Sequence, residues 1–114
     1  MNQIDRAREI IATYQKHGWQ LRRALITKST AAEVTATGAT ALAGATLLDS
    51  AIDALWFSRP SHHQRDAWEL RLIAEMPYAL FETVAADAPA EAREQVLKEM
   101  ESRLQEYVKG GTGN

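Results

Sequence analysis

Between positions 68 and 72 the chain reads Trp-Glu-Leu-Arg-Leu, so Trp68, Leu70 and Leu72 alternate strictly with Glu69 and Arg71. A two-residue period puts the apolar side chains on one face of an extended backbone, whereas on a helix they would scatter around the axis. A strand of this quality needs a partner to take up its backbone hydrogen bonds. The nearest is the aromatic run at 53–59, paired as a hairpin across the polar loop Pro60-Ser61-His62-His63-Gln64-Arg65. Taken alone, residues 47–59 also fit a helix through Leu48, Ile52, Leu55 and Trp56, and the following strand is what favours the extended form. Met76-Pro77 then marks a turn, and Tyr78–Val84 is rich enough in aromatic and β-branched residues to supply a third strand.

Two long helices are predicted to flank this meander. Over residues 3–17, Ile4, Ala7, Ile11 and Tyr14 recur at spacings of three and four, with Ile10 beside them. Asn2 is placed to cap the start and Gly18 to end it. Over residues 89–109, Ala92, Val96, Met100, Leu104 and Val108 form the stripe, and Pro89 suits the first turn. Residues 19–27 are predicted as a strand. Thr30-Ala31-Ala32-Glu33 is a capping-box pattern for a short helix at about 31–37, ended by Gly38 and followed by a loop with little to bury. Strands segregated from terminal helices define an α+β chain. The expected architecture is an antiparallel sheet of about four strands with the two long helices packed on one face. Residues 1–109 make a single domain and 110–114 a flexible tail.

A chain of 114 residues in which 46% are apolar can build one core. A net charge of −2 and a charged fraction of 25% exclude a strongly basic nucleic-acid binder and a wholly disordered chain. With no cysteine there are no disulfides, thiolate nucleophiles or Cys-based zinc sites, which suits the cytoplasm. Asp5, Arg6, Arg8 and Glu9 interrupt any signal-peptide core, and no run approaches the ~18 apolar residues of a membrane span. There is no phosphate-binding glycine loop, no H-E-x-x-H and no G-x-S-x-G. No catalytic residue, metal ligand set or cofactor is assigned.

Weaker candidates remain. If only one face of the sheet is covered, strand alternation leaves either Trp56 or Phe57 exposed, or covered by a loop or a second subunit. An exposed aromatic of that size marks an interface, so a homo-oligomer or protein partner is the first expectation. The second is a ligand pocket between sheet and helices, with Arg23, Arg59, His62 and His63 as its polar groups. His62 and His63 with Asp66 are residue types that ligate transition metals, but adjacent histidines diverge and no third strong ligand is near, so a solvated loop is the simpler reading. Third, residues 1–30 hold six positive charges (Arg6, Arg8, Lys16, Arg22, Arg23, Lys28) against two negative. Such an asymmetry can guide nucleic acid or an acidic partner, although the interleaved aromatics and the helix-turn-helix that would mark nucleic-acid binding are missing.

Overall fold

In a computed structural model, which describes residues 2–37 and 40–111, the chain runs α1 (Gln3–Lys16), β1 (Gln20–Ile26), α2 (Lys28–Thr37), β2 (Thr46–Asp49), β3 (Ala54–Pro60), β4 (Arg65–Leu72), β5 (Ala79–Ala85) and α3 (Ala90–Gly111). Gly38 and residues 112–114, to which the sequence assigns the end of α2 and most of the tail, lie outside the described residues. The fold is α+β. Five strands form one sheet in the order β2-β1-β3-β4-β5, antiparallel except for β1 with β2.

The meander is as the alternation requires. β3 and β4 pair from Ala54 with Leu72 to Pro60 with Asp66, and β4 pairs with β5 from Arg65 with Ala85 to Arg71 with Ala79. The β3–β4 connection closes with the Ser61 N–H donating to the Arg65 carbonyl at 2.8 Å, and His63 and Gln64 both take positive φ, as the central residues of a type I′ turn must. At the other end of the chain, the Asn2 side chain accepts from the Asp5 N–H at 2.8 Å. Gly18, at φ +86°, turns the chain out of α1 into β1.

The expected four strands become five because Thr46–Asp49 adds a parallel strand beside β1, reached by the α2 crossover that parallel pairing demands. α2 also starts earlier than its capping-box pattern implied. The Thr27 hydroxyl, not that of Thr30, accepts from the first turn at the Thr30 N–H, 3.3 Å away.

The placement of the helices on one face is corrected. α1 and α2 cover one face, where Ala7, Ile10 and Ile11 pack with Ala24, Ile26, Leu55 and Phe57. α3 covers the other, where Leu97, Met100 and Leu104 pack with Leu25, Ala54, Trp56, Trp68 and Leu70. The cause lies in β3: Ala54, Leu55, Trp56 and Phe57 are apolar at four successive positions and all fully buried, so the central strand needs cover on both sides. Trp56 and Phe57 accordingly point to opposite faces, and neither is exposed.

Candidate functional site

Three of the residues singled out in the sequence are spent on contacts inside the fold. The Trp56 indole N–H donates to Glu101 at 2.8 Å, and its ring meets that of Trp68 edge-on at 6.0 Å. Phe57 stacks on Tyr14 across 4.1 Å. Arg23 donates two hydrogen bonds to the Glu94 carboxylate, at 2.9 and 2.6 Å, joining β1 to the first turns of α3. That paired hydrogen bond raises the Arg23 pKa and holds Glu94 below the usual carboxylate value of 4.5.

The other three sit near the β3–β4 turn. The Arg59 guanidinium lies 4.4 Å from the Trp19 ring centroid and donates to the His17 carbonyl at 2.6 Å, so a β3 side chain fastens the end of α1. Beyond it, Trp19 meets Phe81 of β5 edge-on at 6.3 Å. His17, Arg59, His62 and Phe81 line one open depression of about 470 Å³. His63 is exposed in the turn, its ring 6.4 Å from that of His62. The structure thus brings Arg59 and His62 together on the α1 side and leaves Arg23 on the α3 side.

Among the described residues, Phe81 of β5 and Tyr107 of α3 are the large aromatics that remain open to solvent, and Phe81 is the more exposed of the two. It faces the α1 side, since its cross-strand partner Glu69 bonds to Tyr14 of α1, yet it is 55% exposed. α1 lies over β1 and β3 and does not reach the edge strand, whereas on the opposite side Leu80 and Val84 of β5 pack under α3. His17, Trp19 and Phe81 were not singled out in the sequence. Their one legible signal is the alternation of β5, which puts Leu80 and Val84 on one side and Phe81 on the other.

Next to this patch, the Tyr14 hydroxyl donates to the Glu69 carboxylate. Burial and this bond raise the Tyr14 pKa well above its ordinary 10, with Arg71 opposing the shift. The folded state therefore keeps a proton that the unfolded chain releases above pH 10, so the stability conferred by the neutral phenol is complete below pH 10 and declines as pH rises beyond it. Tyr14→Phe is expected to make the loss of stability between pH 10 and 11 shallower, measured by urea unfolding at each pH. Equal slopes in the two proteins would rule out a buried, bonded phenol here.

Comparison of the chain with protein-family models, curated proteins and solved structures finds no match. Among the described residues, no group of three His, Asp or Glu side chains is placed to hold a metal ion, and no helix is long and apolar enough to cross a membrane.

Proposed function

We propose that this chain is a small, non-catalytic cytoplasmic interaction domain that self-associates through its sheet, at the β5 edge around Phe81. The observation that carries this is Phe81 itself, more than half exposed on a strip of sheet that no helix covers and set beside the Trp19–Arg59 pair. Aromatic residues and arginine are the types that dominate interface energetics. β5 is also an outermost strand, with unpaired backbone groups along its free side. Antiparallel pairing of two copies about a two-fold axis through position 81 sets the two phenylalanine rings side by side and continues the sheet across the dimer.

Light scattering on a sizing column at tens of micromolar tests this. The wild type is expected to run as a dimer and Phe81→Lys as a monomer, because losing a central aromatic anchor costs about 2 kcal/mol or more, roughly 30-fold in dissociation constant. Leu48→Lys on β2, the opposite edge, is expected to leave the dimer intact. A monomeric wild type, or a Phe81→Lys variant that stays dimeric, would overturn the assignment. If Leu48→Lys alone dissociates the dimer, the β2 edge is the contact.

The alternative of a small-molecule-binding domain has one observation in its favour. At the far end of the sheet an open cavity of about 420 Å³ has apolar walls from Ile52, Leu72, Ile73 and Tyr107 around a single carboxylate, Asp53. Its polar group differs from those expected of such a pocket, since Arg23, Arg59, His62 and His63 all lie elsewhere.

A further inference from the structure

On the α3 side of the sheet, near the β3–β4 turn, a depression of about 350 Å³ is lined by Arg22 of β1, Ser58, Arg59 and Pro60 of β3, Asp66 and Trp68 of β4, and Arg93 of α3. Two N–H groups there lack any acceptor. The Trp68 indole N–H is shut off from solvent without a hydrogen-bond partner, on a side chain only 8% exposed. The Arg93 Nε–H is in the same condition, its nearest carboxylate oxygen (Glu94) being 3.6 Å away. Desolvated donors without acceptors are rare in folded proteins and mark places where a further group belongs.

The backbone explains why a second arginine stands here. The β1–β3 register shifts between Leu21 and Arg23, and Arg22 and Arg23 both reach groups on the α3 side. Arg23 is consumed by Glu94. Arg22 donates from Nε to the Ser58 hydroxyl at 2.8 Å, is otherwise exposed, and lines the depression. Bulges that re-aim a side chain in this way are common beside functional sites. Arg93 lies within the first turns of α3, where the helix dipole also favours negative charge. Asp66 is the one acidic side chain in the lining, against three arginines, of which Arg59 commits its guanidinium to Trp19 and the His17 carbonyl.

We propose that this depression binds a small molecule through an oxyanion group, phosphate or carboxylate. Arg22 and Arg93 supply the charge, and the Trp68 indole supplies a neutral donor that becomes paired when the arginine side chains part to admit the anion. The volume falls within the range of small-ligand sites, so it accepts a molecule larger than the bare ion. The site is independent of the β5 edge and of any dimer formed there.

Indole N–H resonances of the full ¹⁵N-labelled chain test this, with Trp68→Phe assigning the signal. Inorganic phosphate, phenyl phosphate and acetate are titrated separately against potassium chloride at matched ionic strength. The Trp68 signal is expected to shift saturably with an oxyanion and not with chloride. Trp56, held by Glu101, and Trp19, on the other face, are expected to stay in place. Arg93→Gln and Arg22→Gln are each expected to weaken binding at least about tenfold, the scale of a lost charge-assisted hydrogen bond. Phenyl phosphate binding more tightly than phosphate identifies a phosphate ester as the ligand type, phosphate binding more tightly identifies the free ion, and saturation by acetate alone identifies a carboxylate. No saturable shift with any of the three, or a shift undiminished in Arg93→Gln, would overturn the proposal.

Discussion

Trp56→Ala is expected to destabilise the fold by about 3–5 kcal/mol, the range for truncating a fully buried aromatic in a core. Trp56 is fully buried at the middle of the central strand, within the cluster that Leu70, Leu97, Met100 and Leu104 complete. Its removal leaves a cavity between β3 and α3 that the sheet, held by α1 and α2 on its other face, cannot collapse to fill. It also deprives Glu101 of its donor at 2.8 Å. Against the roughly 5–15 kcal/mol that stabilises a typical domain, a loss of this size is a large share of the total and raises the unfolded fraction by roughly two to four orders of magnitude. Trp56→Phe, which keeps most of the ring, is expected to cost about half as much or less. Urea unfolding measures both, and an alanine variant within about 1 kcal/mol of the wild type would mean that α3 is not seated on this side chain.

How much of this is legible in the sequence depends on whether the deciding contact is local. The β3–β4–β5 meander is legible, because Trp68, Leu70 and Leu72 alternate with charges and leave only one side of β4 for α3. So is α1, since Asn2 and Gly18 bracket a clear stripe. The side on which each helix packs is not, because one apolar stripe per helix satisfies either arrangement. The deciding signal lies in β3, where four apolar residues in succession indicate a strand buried on both faces. Under the assumption of a single covered face, the same run implies one aromatic too many. β2 is hidden for a different reason. Four residues carry almost no periodicity, and what makes Thr46–Asp49 a strand is pairing with residues 23–26 through a crossover.

The candidate site divides in the same way. Arg59 and His62 are close in the chain and flank one turn, so their proximity can be anticipated. Trp19 and Phe81 join them only because the order β1-β3-β4-β5 and the reach of α1 bring them alongside. An uncovered aromatic does exist, but on β5 and not on β3. The central strand gets its cover from both layers, and an edge strand is where cover runs out. The donors at the Arg22–Arg93 depression depend on a bulge, which no local pattern announces.

Asp53→Ala is expected to cost about 3 kcal/mol, although the residue is polar, half-buried and near the end of the sheet. One Asp53 oxygen accepts from the Thr27 N–H at 2.8 Å. The other accepts from the Thr30 hydroxyl at 2.7 Å and from the Gln3 amide at 2.9 Å. These three bonds tie the loop before β3 to the start of α2 and to the first turn of α1, where Gln3 also donates to the Ile73 carbonyl at 3.1 Å. Each donor bonds a charged acceptor, and the Thr30 side chain is buried, so its hydroxyl has no water to turn to when the carboxylate is gone. The three losses do not simply add, since Gln3 and Thr27 are partly exposed and recover some hydration. Asp53→Asn is expected to fall between alanine and the wild type. It keeps one carbonyl oxygen for Thr30 and Gln3 but sets its NH₂ against the Thr27 N–H, donor against donor. Hydrogen exchange adds a local readout: protection of the Thr27 amide should fall in both variants by more than the change in global stability explains, because that amide loses its own acceptor. Unchanged Thr27 protection together with a stability loss below about 1 kcal/mol would show that Asp53 does not join these layers, and that the end of the sheet beside the 420 Å³ cavity is held by apolar packing alone.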